Sequence, residues 1–235
     1  MIARTHHPHR LTRLATALAL TITLTTGTIA AQETPVASPD ASPASTPLAD
    51  DLTSRLLHTE DLATASFTPY TAGFTEDLDA AEAAEAANIL AEFYQRASDG
   101  IAKTLAETSF TAGAFAVNDY AGEPDDPDAG IIASGILTFD AAKDATAVTD
   151  ALTDWSDVDA DVTVADNIAP LGDVTQVVTY ANGGGEAPTS TTALLTFRDG
   201  ATIGFVVIVV AEPGDDLVLH AQVLGKFLHG KIELA

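Results

Sequence analysis

The stretch that decides the fold is residues 194–211, LLTFRDGATIGFVVIVVA. Two runs rich in Val, Ile, Thr and Phe lie on either side of Asp199-Gly200, a residue pair that favours a tight hairpin turn. Residues 203–211 are apolar without interruption, but they number only nine, whereas a helix needs about 20 residues to cross a membrane. Their Val and Ile content favours a strand. These features predict a β-hairpin.

We predict that residues 203–211 form the central strand of a sheet. An unbroken apolar run, in contrast to an alternating one, is typical of a strand whose sheet is covered on both faces. Successive side chains of a strand point to opposite faces, so Val207 and Ile208 should both be buried, one on each face. Helices can cover one face; a second helical layer, a curled sheet or a pocket could cover the other.

The remaining segments predict the other elements of the fold. Further strands are expected at residues 109–121, 130–139, 161–173 and 174–181. Amphipathic helices are expected at residues 76–99, 141–155 and 214–230, and a short helix or turn at residues 51–62. The fold class is therefore α+β, with a mostly antiparallel sheet of five or six strands and about three helices packed on it.

Local signals set the expected ends of two helices. The first should begin after Thr75 and end before Gly100, with acids in its first turn and Arg96 near its end. Asp140 should cap the second helix, whose apolar stripe ends at Trp155. That position favours a core role for Trp155 over a ligand-binding one.

The N-terminal residues predict an exported protein. Residues 1–31 combine three Arg and no acid with a long uncharged stretch and small residues, as in a signal peptide cleaved after Ala30 or Ala31. An uncleaved membrane anchor is the alternative, since about 18 uncharged residues can just span a bilayer. Residues 32–51 are rich in Pro, Ser, Thr and Ala and predict a disordered linker. Residues 52–235 are expected to form a single α+β domain.

Composition limits the partners. After cleavage the chain keeps seven bases against all 34 acids, a formal charge of −27. Such a charge repels nucleic acid, so we expect an unknown small molecule or protein as partner, with no nucleic acid and no membrane span after cleavage. The chain has no Cys, which excludes a disulfide framework and Cys-based metal sites.

The order of the segments resembles that of exported proteins and sensor-like extracellular domains of high-GC bacteria, including domains attached to membrane receptor kinases. The resemblance spans most of residues 52–230. It rests on structural motifs: SRLLHTEDL, LTFDAAKDATAVTDAL, PLGD, LLTFRDGATIGFVVIVV and DDLVLHAQVLGKFL. Those kinase-linked domains contain cysteines, which this chain lacks. The resemblance implies a non-catalytic binding or sensing role and assigns no functional residue.

Motifs for most kinds of catalysis are absent from the sequence. There is no G-x-S-x-G, no H-E-x-x-H and no glycine-rich phosphate loop between a strand and a helix. After cleavage the only histidines are His58, His220 and His229, and nine positions on one predicted helix separate the last two, so we expect structural roles. We predict that the protein is not an enzyme. A carboxylate-dependent hydrolase is the alternative, because carboxylates are abundant.

A cation site is the sharpest candidate for bound chemistry. Asp157, Asp159 and Asp161 alternate along the chain and offer the oxygen ligands that Ca²⁺ prefers. The segment departs from a calcium-binding loop at Val162, where Gly is needed, and at Ile168, where Glu is needed. A solvated acidic turn explains the same residues. The sequence thus favours a secreted or surface-tethered binding domain with no cofactor, with a calcium-dependent module as another alternative.

The mature protein should begin at Ala31 or Gln32, because the small residues that precede these positions suit signal peptidase. Intact-mass measurement of the protein in the culture medium checks this start. Chains that retain Met1 in membrane fractions would instead indicate an anchor.

Overall fold

The Asp199-Gly200 hairpin lies at the centre of a sheet, as predicted. The computed structural model describes residues 49–64, 72–120, 130–156, 158, 161–182, 190–211 and 216–234, all within one compact unit, Ser45–Ala235. The predicted signal peptide and most of the predicted linker lie outside the described residues. Gly200 has φ +55° at the first central position of the turn, where a tight hairpin turn needs Gly.

The sheet is antiparallel throughout. Its seven strands are β1 (Ala72–Asp79), β2 (Phe110–Tyr120), β3 (Gly130–Phe139), β4 (Val162–Val164), β5 (Val174–Asn182), β6 (Ser190–Asp199) and β7 (Thr202–Val210). Their spatial order is β1-β2-β3-β7-β6-β5-β4. Strand β7 therefore has three strands on each side, which confirms it as the central strand. The predicted number of five or six strands is wrong because β1 was expected to be helical.

Helices cover both faces of this sheet. Within the described residues they are α1 (Ala49–Arg55), α2 (Thr59–Thr64), α3 (Ala83–Phe93), α4 (Ser98–Ala106), α5 (Ala142–Thr153) and α6 (Leu217–Glu233), with a 3-10 turn at Ala80–Glu82. The number exceeds the predicted three. Helix α1 begins inside the predicted linker, and the predicted helix over residues 76–99 is divided.

The helix expected after Thr75 begins later because Asp79 caps it. The Asp79 carboxylate accepts hydrogen bonds from the backbone N–H groups of Ala81 at 2.7 Å and Glu82 at 3.2 Å, and Glu82 accepts from the Asp79 N–H at 2.9 Å. This reciprocal pair is a capping box. It leaves the residues before Asp79 to pair with β2 as strand β1. Gly100, expected just past the helix, lies inside α4.

Asp140 does not cap α5. The residue before the helix is Ala141, which makes no side-chain cap, and the Asp140 N–H donates to the Ser109 carbonyl at 3.0 Å. Asp144 instead accepts from the Ser109 N–H at 3.1 Å and from its hydroxyl. These hydrogen bonds are the main cause of the lowered pKa of Asp144. They attach the first turn of α5 to the start of β2.

Two apolar cores lie on opposite faces of the sheet. One packs α1, α2 and α6 against the face that contains Ile208, and the other packs α3, α4 and α5 against the face that contains Val207. Both side chains are buried, as predicted. The unbroken apolar run of β7 therefore reflects a second helical layer, which was one of the three expected covers.

Polar contacts attach the first two helices to the sheet and to α6. The buried Ser134 hydroxyl accepts a hydrogen bond from the Leu57 N–H at 3.1 Å, and Asn118 donates to the Leu57 carbonyl at 3.3 Å. Lys231 of α6 donates to the Leu56 carbonyl at 3.0 Å and to Asp61. These bonds satisfy backbone groups that burial would otherwise leave unpaired. The segment after the predicted linker is therefore an integral part of the fold.

Two Phe rings lie directly over glycines of neighbouring strands. A Cβ added to Gly135 would meet the ring of Phe205 at 2.2 Å, and one added to Gly204 would meet the ring of Phe197 at 2.2 Å. Each Phe is the cross-strand partner of its glycine. Phe205 belongs to the core under α3–α5 and Phe197 to the core under α1, α2 and α6. The glycines therefore allow a ring to lie against the backbone on each face.

None of the helices in the described ranges is long and apolar enough to cross a membrane.

Gly204→Ala should destabilise the protein by about 1–3 kcal/mol, because the new methyl group overpacks the site of the Phe197 ring. Gly100→Ala is the matched control: a Cβ there meets nothing within 4 Å, and Ala in a helix is favoured by about 0.5–1 kcal/mol over Gly. Urea unfolding measures both changes. Equal stability of Gly204→Ala and the wild type would contradict the packing of Phe197 against this strand.

Candidate functional site

The predicted calcium ligands are only partly within the described structure. Asp157 and Asp159 lie outside the described residues. Asp161 directly precedes β4 and is exposed. A second acidic group of the sequence, formed by Glu123, Asp125, Asp126 and Asp128, also lies outside the described residues. Calcium binding therefore stays a prediction.

A possible metal-ligand group lies elsewhere, at the hairpin turn. His229 of α6 has its Nε2 atom 3.4 Å from Asp199 Oδ2 and its Nδ1 atom 3.7 Å from Glu233 Oε2. The three residues offer ligand atoms that all lie within 4.8 Å of one another, and this donor set suits a divalent transition metal ion. The edge of the His229 ring packs on Phe197 with centroids 5.2 Å apart.

Both carboxylates of this group are largely exposed, with side-chain exposures of 42% for Asp199 and 60% for Glu233. Exposed acidic groups occur often without an ion, and each imidazole nitrogen faces a different carboxylate. The group therefore brings the hairpin turn and α6 together through three polar side chains. Sequence reasoning expected a structural role for His229, but it did not bring Asp199 to the helix, because only the folded hairpin does so.

A group of aromatic and polar side chains lies where α3 and α5 end. Helix α3 ends at Phe93, and Gln95 then takes the left-handed conformation, with φ +52°. The Arg96 N–H donates back to the Ala91 carbonyl at 3.0 Å, which is the outer hydrogen bond of a Schellman turn. A side chain larger than Gly costs free energy in this conformation, and such residues concentrate at functional sites. The turn directs Arg96 towards Trp155, which follows α5.

Trp155 is held in place by its neighbours. Its indole N–H donates to Gln176 Oε1 at 2.9 Å, and its ring stacks on Tyr94 at 6.1 Å with an interplanar angle of 22°. The Tyr180 ring, from β5, lies 5.9 Å away. Trp155 is partly buried and packs against the core under α3–α5, in agreement with the expected core role.

The two tyrosines are neutral hydrogen-bonding groups. Burial is the main cause that raises the pKa of both, and that of Tyr180 reaches about 12. The Tyr94 hydroxyl shares a hydrogen bond of 2.6 Å with Thr196, and Tyr180 donates to the Phe93 carbonyl. Because their pKa values are raised, neither phenol ionises near neutral pH. They fix the end of α3 against the sheet and cannot act there as general bases.

Arg96 is the member of this group with unmatched hydrogen-bonding groups. Its guanidinium lies over the Trp155 ring, with Cζ 5.5 Å from the ring centroid, as in a cation–π contact. Its Nε and Nη2 atoms are buried and have no hydrogen-bond partner in the described part of the chain. Each buried donor without a partner costs about 1–3 kcal/mol. These two nitrogens form the edge of the guanidinium that matches a carboxylate with two parallel hydrogen bonds.

Arg198 is also partly exposed, and its Nε atom is likewise buried without a hydrogen-bond partner, but both of its terminal nitrogens have polar partners. Arg198 donates from Nη1 to the Thr146 hydroxyl, and its Nη2 lies 3.6 Å from Asp173 Oδ2. Arg96 has no comparable ion pair in the described ranges. Asp154 is close enough to be affected, but the hydrogen bonds from Ser156 are the main cause of its lowered pKa and Arg96 is the smallest. The guanidinium of Arg96 is therefore matched mainly by an aromatic face.

Two carboxyl groups have raised pKa values, as a hydrolase acid would need. Burial raises the pKa of Glu76, and the charges of Glu85 and Glu82 raise it further. Burial alone raises the pKa of Glu92. The three acids near β1 are a like-charge cluster at an edge strand.

Sequence reasoning did not assign a functional role to Arg96. It expected Arg96 near the end of a helix, but α3 ends at Phe93 with no base in its last turn, and Arg96 lies in the turn that follows. The only feature of the sequence that could have indicated this site was the single Trp of the chain, which lies beside an acidic segment. Trp155 and Tyr180 come from distant parts of the chain, so no local pattern joins them to Arg96.

Comparison with known proteins gives a likeness in fold. No protein-family model matches the chain, and no curated protein matches it. Among solved structures, the extracellular domain of PknH from Mycobacterium tuberculosis is similar, with a TM-score of 0.51 and 13% sequence identity. The match covers 80% of this chain and 97% of that domain. This chain therefore has a fold similar to that of a bacterial extracellular domain.

Proposed function

We propose that the protein is a secreted or surface-tethered, non-catalytic binding domain of the sensor-like type. The observation that supports this most directly is the similarity in fold to an extracellular domain over almost its whole length. The N-terminal sequence, with its predicted signal peptide and linker, agrees with an extracellular location. The ligand is a small molecule or a protein.

The binding surface lies at the rim of the fold. Sequence reasoning allowed the sheet face or the loops, but helices cover both faces of the sheet in the described residues. This packing leaves no open sheet face for a ligand. The group formed by Arg96, Trp155 and Tyr180 lies at the ends of α3 and α5, where polar groups, aromatic rings and a strained turn coincide. We assign the binding role to this group.

Native mass spectrometry of the protein from its own culture medium tests the binding function. The expected result is a species heavier than the polypeptide by the mass of one bound small molecule, which is released on denaturation. The hydrolase alternative would be favoured by two results together. The protein would show the mass of the polypeptide alone, and it would hydrolyse aryl glycosides in an activity that the Glu76→Gln substitution abolishes. Calcium dependence would appear as a loss of the bound species in a chelator.

Glu76→Gln should also raise the unfolding temperature at pH 7. The pKa of Glu76 is raised in the folded state. Its favourable contribution to the free energy of unfolding is therefore complete below its ordinary pKa of about 4.5. That contribution is lost as the pH rises through the folded-state pKa. The ionised carboxylate therefore destabilises the fold at pH 7, and Gln removes that charge. The difference from wild type should vanish well below pH 4.5.

Asp161→Asn is the control for this experiment, because it removes one exposed carboxylate at the surface. Thermal unfolding from acidic to neutral pH compares the three proteins. A Glu76→Gln variant that gains stability equally at all pH values would show that the gain does not come from the Glu76 charge.

A further inference from the structure

We propose that Arg96 binds the carboxylate group of a small organic acid, a conclusion that rests on the binding function proposed above and names the chemistry of its ligand. The Nε and Nη2 atoms of Arg96 have no hydrogen-bond partner among the described residues. They are the adjacent pair that a planar carboxylate matches with two parallel hydrogen bonds. An ammonium group at the same position could not make this pair of bonds.

Arg96 lies beside an aromatic ring and has no ion pair among the described residues. The chain has 34 acids, yet no carboxylate of the described residues forms an ion pair with Arg96. The Trp155 ring covers one side of the guanidinium, and Tyr94 and Tyr180 hold that ring in place.

Binding requires a local movement that can be observed. Both nitrogens are buried, so a carboxylate reaches them only when the partly exposed side chain of Arg96 or Trp155 shifts. Such a shift changes the contact between the guanidinium and the indole. Trp155 is the only Trp of the chain, and its fluorescence therefore reports on this site alone.

The test is a fluorescence titration of the secreted protein with sodium benzoate and, as its neutral counterpart of the same shape, benzamide. We expect a saturable change with benzoate and none with benzamide. Arg96→Lys keeps the charge but loses the paired donors, so it should raise the benzoate Kd by about tenfold or more. Arg96→Gln should abolish the change. Lys103→Gln is the matched control, since it removes one positive charge from the neighbouring helix α4 at a side chain that is 74% exposed.

Several outcomes would overturn the assignment. The first is an equal response to benzoate and benzamide, and the second is an unchanged benzoate Kd in Arg96→Lys. The third is the absence of a saturable response in the wild type together with a lowered unfolding temperature in Arg96→Gln. That third result would make Arg96 a structural cap of the helix ends. Near-ultraviolet circular dichroism checks that each variant is folded. If Arg96→Gln does not fold, the benzoate Kd of Arg96→Lys alone tests the assignment.

The same variants separate this inference from the function on which it rests. If the small molecule seen by native mass spectrometry is retained in Arg96→Lys and Arg96→Gln, the carboxylate assignment is wrong and the binding function stands. If the protein carries no small molecule and does not respond to benzoate, the carboxylate assignment and the small-molecule form of the binding function are both wrong.

Discussion

The packing of two Phe rings against the backbone of the central strands is the constraint on which the rest of the structure depends. A sheet covered on both faces must be apolar on both faces, and large side chains on every position would hold the helices too far away. Gly135 and Gly204 remove the side chain at the point where each ring lies. The ring of Phe205 then faces one helical layer and that of Phe197 faces the other. The result is a thin, closely packed centre that positions all the helices.

Each ring also connects the centre of the sheet to a polar group at its rim. Phe205 contacts Tyr94 edge-on, with centroids 6.2 Å apart, and Phe115 at 5.6 Å, and Tyr94 in turn stacks on Trp155. Phe197 contacts His229, which reaches the carboxylates at the hairpin turn. Because protein interiors are close-packed and transmit small displacements, a shift at Trp155 would act on the central strand through two ring contacts.

The sequence was sufficient for the centre of the fold and insufficient for its periphery. The β7 run, the turn at Asp199-Gly200 and the burial of Val207 and Ile208 followed from composition and spacing alone. Strand β1 was missed because it contains acids and precedes an Ala-rich helix. The predicted start of that helix was therefore placed too near the N-terminus. The capping pair Asp79 and Glu82 was the available signal for the true boundary. The sequence carries no signal for the end of α3 at Gln95, because Gly is the usual residue in the left-handed position after a helix.

The candidate site could not be predicted because its members meet only through the fold. Arg96 comes from a turn between helices, Trp155 from the end of α5 and Tyr180 from β5. Its character nevertheless follows from the composition. In a chain with 34 acids and ten bases, a carboxylate partner for an arginine is common, as Asp173 is for the partly buried Arg198. An arginine without one requires neighbours that exclude acids, and aromatic rings do this while still stabilising the cation. Among the described residues, the Nε and Nη2 edge of Arg96 has no hydrogen-bond partner, and the ring that its guanidinium covers, Trp155, stacks on Tyr94, which contacts Phe205 of the central strand.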